Sequence, residues 1–268
     1  MKDQHIKEKV LVIIPARLNS MRFPKKILAD INGLPMILHT AIRARKANIG
    51  RVIVAVDDTK INEIVLQAGF ESVMTHTSHQ SGSDRIFEAL NIIDSDKKSQ
   101  IIVNMQADIP NIEPEILASL LLPLQNPIVD IGTLGTRIHG STDPDDPNIV
   151  KIVVASPSEN GCFRALYFTR TKTPHGTGPF YQHLGIYAYR REALKRFTQL
   201  SPSVLEQRES LEQLRALEAR MRIDVKIVQS NAMSVDTTND LEKVRTLIPH
   251  DHHKGLYKKI FNDKILKS

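Results

Sequence analysis

Short apolar runs recur along the first half of the chain, and segments with helical spacing separate them. Continuous runs of β-branched residues and leucine are typical of strands buried in a parallel sheet. The runs predicted as strands are residues 10–14, 51–56, 71–75 and 101–105. The segments predicted as helices are residues 36–48, which end near Gly50 as a plausible stop, and residues 61–68, 83–93 and 114–124. This short alternation predicts an α/β fold with a doubly wound, mostly parallel sheet.

The second half of the chain is richer in strands and poorer in helices. The predicted strands there are residues 128–137, 149–155, 163–168, 184–189 and 223–228. The predicted helices are residues 192–198, 205–222 and 239–247. Because we find no internal repeat, low-complexity tract or linker, we predict one domain over residues 1–250 and a basic polar tail over residues 251–268.

A cationic loop follows the first predicted strand. Arg17, Arg22, Lys25 and Lys26 are spaced by small or turn-forming residues, and no acidic residue lies between Arg17 and Asp30. Ligands of open α/β sheets bind beyond the carboxyl ends of the strands, so a triphosphate could supply the missing counter-charge. A solvated basic loop is the plainer alternative. The chain has neither the GxxxxGK[ST] pattern of a P-loop nor the GxGxxG pattern of a dinucleotide site.

Composition narrows the possible partners. The 268-residue chain has a formal net charge of +6, of which residues 251–268 contribute +3 and residues 1–9 contribute +1. Because the basic character lies mostly in the tails, we expect no nucleic-acid partner. The single cysteine permits no internal disulfide, and residues 1–10 lack the apolar core of a secretory signal. With no apolar run long enough for a bilayer, we expect a cytoplasmic protein without membrane insertion.

Acidic residues follow two further predicted strands. Asp57 and Asp58 end the strand of residues 51–56, where a turn or a helix cap is the favoured interpretation. Asp108 follows the strand of residues 101–105 and precedes Pro110. A hard carboxylate at such a strand end suits Mg²⁺, although a turn aspartate explains the position equally well.

Two polar segments precede predicted helices. Residues 75–85 contain small polar residues that lead into a helix, so free backbone N–H groups could contact a nucleotide. A plain helix N-terminus capped by Ser81 or Ser83 is the alternative. Residues 237–240 resemble a capping arrangement for the last helix. Asp236 lies just outside that cap, so it is the second metal candidate.

The first loop also carries a pattern that resembles a known family. The matching residues are Pro15, Ala16, Arg17, Ser20, Arg22, Pro24, Lys26 and the run Asp30-Ile31-Asn32-Gly33. The pattern is similar to the start of the sugar-nucleotide cytidylyltransferases, and more closely to the 3-deoxy-manno-octulosonate (Kdo) cytidylyltransferases. Further motifs match in order as far as residue 241. The resemblance implies a fold of the nucleotide-diphospho-sugar transferase type, with a sugar-binding and dimerisation part over roughly residues 130–222.

The resemblance also implies a CTP site with Mg²⁺ as the cofactor. The residues implied to bind CTP are Arg17, Ser20, Arg22, Lys26, Gln80, Ser81, Gly82 and Arg85. The implied metal ligands are Asp108 and Asp236. The residues implied in catalysis are Arg17, Arg22, Lys26 and Asp108. The chain departs from the family at Lys25, Ala107 and Thr238, where glycine, glycine and proline are usual.

The sugar site is implied mostly by the resemblance. The residues implied to contact the sugar are Gln106, Arg170, His183, Tyr187 and Glu212. A forked guanidinium such as that of Arg170 suits the carboxylate of an α-keto acid. By themselves, His183 and Tyr187 would be interpreted as packed core residues, and Glu212 as part of an exposed helix face. Asn148 and Lys151 also match the family, without an assigned role.

The activity that the resemblance implies is transfer of CMP from CTP to Kdo, giving CMP-Kdo and pyrophosphate for lipopolysaccharide synthesis. A cytoplasmic homodimer is implied as well. The alternative is another acid sugar, such as a sialic acid or an amino analogue of Kdo. A glycosyltransferase using Asp94-Ser95-Asp96 is disfavoured because that motif lies in a polar loop before a strand. A catalytically dead binding paralogue is disfavoured because both Asp108 and Asp236 are present.

Overall fold

The structure is a computed structural model that describes residues 7–18, 23–139 and 143–248. The chain divides into two compact units. Unit 1 comprises Met1–Ser99, Asn104–Pro114 and Asn231–Ser268, and unit 2 comprises Gln100–Val103 and Glu115–Ser230. The part predicted to bind the sugar, roughly residues 130–222, falls within unit 2. The assignment of a single domain to residues 1–250 stays a prediction, and the tail of residues 251–268 lies outside the described residues.

The elements alternate in the first half and are mostly strands in the second. The strands are β1 (Val10–Ala16), β2 (Asp30–Ile31), β3 (Leu34–Pro35), β4 (Arg51–Val56), β5 (Glu71–Met74), β6 (Ile101–Asn104), β7 (Ile131–Arg137), β8 (Lys151–Pro157), β9 (Cys162–Thr169), β10 (Tyr181–Arg190) and β11 (Ile223–Val228). The helices are α1 (Met36–Ala47), α2 (Thr59–Gln67), α3 (Gly82–Ile93), α4 (Pro114–Ser119), α5 (Arg191–Thr198), α6 (Val204–Glu209), α7 (Gln213–Glu218) and α8 (Thr238–Leu247). None of the helices in the described part of the chain has the length and apolar character needed to span a membrane.

The parallel strands of unit 1 stand in the order β5, β4, β1. Ile13 lies opposite Ile53, and Val54 lies opposite Ser72. All residues of β1 are buried except Pro15, which is partly exposed, as the continuous apolar run predicts. The predicted α/β class is confirmed, and the carboxyl ends of β1 and β4 lead into the loops that carry the cations and Asp57.

The first helix ends differently from the prediction. Asn48, not Gly50, closes α1 in the left-handed conformation with φ of 52°. Gly50 is needed for another reason, since a Cβ there would lie 2.2 Å from the carbonyl oxygen of Val10. The glycine therefore permits close approach of the chain to β1.

The last helix is attached to unit 1 by a short hairpin. The strands β2 and β3 pair antiparallel, and the sequence pattern did not predict them. Ile31 of the hairpin packs in a buried cluster with Val235 and Leu241. The side-chain amide of Asn32 donates to the carbonyls of Arg245 and Ile248 at the end of α8. These contacts hold the segment that contains Asp236.

Unit 2 contains a mixed sheet in the order β6, β10, β7, β11, β9, β8, which confirms the β-rich second half. The strand β7 pairs antiparallel with β10 and parallel with β11. Two predicted helices were too long. The segment of residues 114–124 forms α4 followed by a 3₁₀ turn at Pro123–Gln125. The segment of residues 205–222 is split between α6 and α7, because Ser210 adopts a left-handed conformation with φ of 54°.

Candidate active site

The predicted CTP-binding segments of unit 1 line one cavity of about 310 Å³. The lining residues are Pro15, Arg17, Lys26, Ile27, His79, Gln80, Ser81, Gly82, Arg85, Gln106, Ala107, Asp108 and Asp236. A second cavity, of about 330 Å³, shares Arg17, His79, Gln80 and Arg85 with the first and extends along Asp57 and Thr77. Ser20 and Arg22 lie outside the described residues. The fold therefore brings together four segments that are far apart in sequence.

Lys26 lies at the centre of an ionic cluster in this cavity. Its Nζ is 2.6 Å from Asp108 Oδ2, 3.1 Å from Asp236 Oδ1 and 3.0 Å from the carbonyl oxygen of Val235. Burial opposes the charge on Lys26, but the two carboxylates outweigh that effect and raise the pKa of the ammonium. These three oxygens can use all three ammonium protons, so Lys26 contacts a phosphate only after leaving one of them.

The same cluster is suited to a divalent cation. Oxygens of Asp108 and Asp236 converge on one ammonium, and the backbone N–H of Val235 donates to the carbonyl of Asp108 at 2.9 Å, which joins the two segments. The described residues contain no group of three or more His, Cys, Asp or Glu side chains placed to hold a metal ion. Two hard carboxylates fit Mg²⁺ bound together with a nucleotide, because Mg²⁺ takes its remaining ligands from water and phosphate.

The buried Arg85 forms an ion pair with the partly buried Asp57 beside the cavity. Arg85 Nη2 donates to Asp57 Oδ2 at 2.9 Å, and Arg85 Nη1 donates to Thr75 Oγ1 at 2.7 Å. Asp57 Oδ1 also accepts from the backbone N–H of Leu18 at 3.0 Å, at the start of the cationic loop. The interpretation as a cap holds for Asp58, which accepts from the N–H groups of Lys60 and Ile61. Asp57 instead connects the β4 end to Arg85.

The segment before α3 caps the helix and also lines both cavities. Ser81 is the N-cap of α3 and accepts from the backbone N–H of Asp84, as the plainer interpretation predicts. The His79 ring contacts the Glu88 carboxylate, which also accepts from the backbone N–H of His76. Glu88 thereby fixes the ring at the edge of both cavities, a role that the sequence pattern does not predict.

The predicted sugar residues, apart from Gln106, lie in unit 2. Arg170 Nε donates to the carbonyl of Glu209 at 2.8 Å, and Arg170 Nη1 donates to the carbonyl of Pro147 at 2.9 Å. The carboxylate of Glu209 accepts from the backbone N–H of Arg170 and from Thr169 Oγ1. Lys151 is completely buried, and its ammonium donates to the carbonyls of Asp146 and Arg170. Lys151 and Glu209 therefore hold the backbone that carries Arg170.

His183 and Tyr187 belong to a row of aromatic side chains on β10 and its neighbours. The His183 ring is 4.9 Å from the Phe168 ring and 5.3 Å from the Tyr187 ring, measured between centroids. Burial lowers the pKa of His183 to about 3, so the imidazole is neutral. Burial, together with Tyr189 and Glu212, raises the pKa of Tyr187. Glu212 directly precedes α7.

The motif Asp94-Ser95-Asp96 is explained by local structure. The Asp94 carboxylate accepts from the backbone N–H groups of Lys98 and Ser99, and Asp96 forms an exposed ion pair with Lys98. These contacts are those of a turn after α3.

An α/β unit with cations after its first strand and paired carboxylates in the same cavity is suited to binding a nucleotide. Residues 11–223 match the family model described as cytidylyltransferase. A 3-deoxy-manno-octulosonate cytidylyltransferase of Rhizobium etli (strain CIAT 652) is 57% identical over 92% of this chain and 98% of its own. The protein of the same name from Bartonella henselae is 52% identical over 89% and 98%. The chain belongs to the cytidylyltransferase family, and within it to the 3-deoxy-manno-octulosonate cytidylyltransferases.

One solved structure agrees with this placement, and a second shares the fold. CMP:2-keto-3-deoxy-manno-octonic acid synthetase, solved in complex with CTP, superposes with a TM-score of 0.81. It is 38% identical and covers 89% of this chain and 98% of its own. The 4-diphosphocytidyl-2C-methyl-D-erythritol synthase of Anaerococcus prevotii has a TM-score of 0.57 at 12% identity, over 88% of this chain and 96% of its own, and shows the shared fold alone.

Proposed function

We propose that the protein transfers CMP from CTP to Kdo and releases pyrophosphate. The observation that carries this proposal is identity above 50% to 3-deoxy-manno-octulosonate cytidylyltransferases over about nine-tenths of the chain. The likeness to a synthetase solved with CTP supports the choice of nucleotide. The proposed reaction forms a bond between the anomeric oxygen of the sugar and the α-phosphorus, breaks the bond from that phosphorus to the β-phosphate bridge, and releases the hydroxyl proton to solvent.

The two cavities of unit 1 are the proposed CTP site. Arg17 and Lys26 line the first, and we propose that they contact the phosphates together with Ser20 and Arg22. Gln80, Ser81 and Gly82 lie at the start of α3, where free backbone N–H groups can meet the ribose and base. In this arrangement catalysis is mainly positioning and electrostatic stabilisation of the departing pyrophosphate.

We propose Asp108 and Asp236 as the residues that hold Mg²⁺. Their convergence on the Lys26 ammonium supports this assignment, since both carboxylates already reach a single cation. When bound, Mg²⁺ would polarise the α-phosphate and help ionise the sugar hydroxyl. Lys26 would move from the carboxylates towards the phosphates, where its charge offsets that of the leaving pyrophosphate.

For the sugar, we propose Arg170 as the partner of the carboxylate, with Gln106, His183, Tyr187 and Glu212 as contacts to the rest of the molecule. The support is the match to the family motifs and the firm placement of Arg170 by Glu209 and Lys151. A cytoplasmic homodimer that serves lipopolysaccharide synthesis is proposed from the resemblance alone.

The test is pyrophosphate release by the purified protein with Mg²⁺, each of the four nucleoside triphosphates, and either Kdo or N-acetylneuraminate. We expect release with CTP and Kdo only. Release with CTP and another acid sugar would contradict the choice of Kdo, and it would mean that the contacts of His183, Tyr187 and Glu212 select a different sugar. Absence of release with every pair would contradict the proposal, and CTP binding measured by calorimetry would then separate a different acceptor from a catalytically dead protein.

A further inference from the structure

The strand β10 is irregular next to Thr133. His183 lies opposite Gly135 and Tyr187 lies opposite Thr133, so the ladder between β10 and β7 shifts between these two pairs. Gly185 lies within the shift and has φ of +61°, a left-handed conformation that glycine adopts without strain. Thr133 is completely buried at this point.

The hydroxyl of Thr133 has two partners across the shift. Its Oγ1 lies 2.7 Å from the carbonyl oxygen of Ile186 and 3.0 Å from His183 Nε2. A hydroxyl has one proton to donate, and a carbonyl oxygen can only accept. The proton therefore goes to Ile186, and Oγ1 accepts a hydrogen bond from Nε2–H.

This arrangement determines the tautomer of the imidazole. A neutral imidazole that is protonated at Nε2 has a lone pair at Nδ1. Burial keeps the ring neutral by lowering the pKa of His183 to about 3. The amide nitrogen of Gln213 lies 3.5 Å from Nδ1, at the outer limit of a hydrogen bond, so a donor faces the lone pair.

We propose that Thr133 is a positioning residue that holds His183 in the Nε2–H tautomer, so that Nδ1 accepts a hydrogen bond from a hydroxyl of the acid sugar in place of the long contact from Gln213. The part that concerns the sugar rests on the proposed function. An Nδ1 lone pair repels a carboxylate oxygen, so this position selects a hydroxyl-bearing portion of the substrate and leaves the carboxylate to a cation.

The tautomer is measured directly by long-range ¹⁵N–¹H NMR of protein labelled at histidine. His183→Gln assigns the signal by its loss. We expect the wild-type protein and Thr133→Ser, which keeps the hydroxyl, to show protonation at Nε2. Thr133→Val, which has a similar size without the hydroxyl, is expected to populate the Nδ1–H form.

An Nδ1–H signal in the wild-type protein would overturn the proposal, and so would an unchanged tautomer in folded Thr133→Val. Where Thr133→Val does not fold, the wild-type and Thr133→Ser spectra decide, since Nε2–H in both is required. These spectra need no substrate, so they remain decisive even when the proposed activity fails.

Kinetics test the sugar part. We expect the KM for Kdo to rise about tenfold in Thr133→Val, with the KM for CTP and kcat near wild type, because about one hydrogen bond to substrate is lost. Thr133→Ser is expected to retain the wild-type KM. A shifted tautomer with an unchanged KM for Kdo would overturn the contact between His183 and the sugar while leaving the role of Thr133 on the tautomer intact.

Discussion

Titratable groups that are shielded from solvent have opposite charge states in two regions of the molecule. In unit 1, Asp108 and Asp236 outweigh the burial of Lys26, raise the pKa of its ammonium and keep it charged. In unit 2, the ring of His183 has Thr133 and Gln213 as hydrogen-bonding neighbours among the described residues, and burial lowers its pKa to about 3 and keeps the imidazole neutral. Burial opposes charge in both places, so the partners decide the outcome. The first region suits phosphates and a metal ion, and the second suits the neutral hydroxyls of a sugar.

The largest effect is expected when one carboxylate is removed from the charged region of unit 1. Asp108→Asn keeps the shape of the side chain but removes one of the two carboxylates, and we expect kcat to fall about a thousandfold. The measurement is pyrophosphate release at saturating CTP and Kdo, with circular dichroism to show that the fold is retained. Asp96→Asn is the matched control, because Asp96 is exposed in the turn after α3, and its activity should stay within about twofold. Full activity of Asp108→Asn would exclude Asp108 as a metal ligand.

The next largest effect is expected on stability, when Arg85 in the lining of the same cavity is replaced. Arg85→Met should lower the free energy of unfolding by about 3 kcal/mol, because it leaves the largely shielded Asp57 without its cation. Arg51→Met removes the exposed ion pair with Glu71 and should lower it by only about 0.5 kcal/mol. Urea unfolding of both variants measures the difference. Equal losses would show that the Arg85 pair is no better shielded from solvent than the surface pair.

A smaller effect is expected on the pH dependence of stability, which tests whether His183 is neutral in the folded protein. Below pH 6.5 the unfolded chain protonates this histidine, whereas folded His183 stays neutral down to about pH 3. The wild-type protein should therefore lose about 1 to 2 kcal/mol more stability than His183→Gln between pH 6.5 and pH 5.

The comparison needs urea unfolding at both pH values. His175→Gln, at an exposed position in the same unit, should behave like the wild type. Parallel pH dependence of the wild-type protein and His183→Gln would mean that folded His183 titrates normally.

The smallest expected effect is a change in metal affinity, which tests whether Lys26 competes with a metal ion for the two carboxylates. Lys26→Met removes the ammonium from between the two carboxylates, so Mn²⁺ should bind about fivefold more tightly in the absence of CTP. Lys25→Met removes the same charge from an exposed neighbouring position and should change the affinity less than twofold. Electron paramagnetic resonance titration of free Mn²⁺ measures both. Equal changes in the two variants would indicate a general charge effect in place of competition at the carboxylates.

The sequence predicted those strands and helix starts that depend on neighbouring residues in the chain. The apolar runs located β1, β4 and β6, and the cap signals at Ser81 and Thr237 located the starts of α3 and α8. The predicted continuous helix over residues 205–222 was wrong, because Ser210 leaves the helical conformation. A left-handed residue that is not glycine has no clear mark in a single sequence.

The candidate site also has features with local causes and features that depend on the tertiary structure. The sequence by itself determined which residue types were available, the cations after β1 and the aspartates after later strands, because each motif is contiguous. Only the tertiary structure decided that Lys26 and Asp236, 210 positions apart, share an ion pair, that Arg85 is held by Asp57, and that Thr133 faces His183. The physical reason is that charge and tautomer depend on the partners and burial that the fold supplies, and these are properties of the space around a residue.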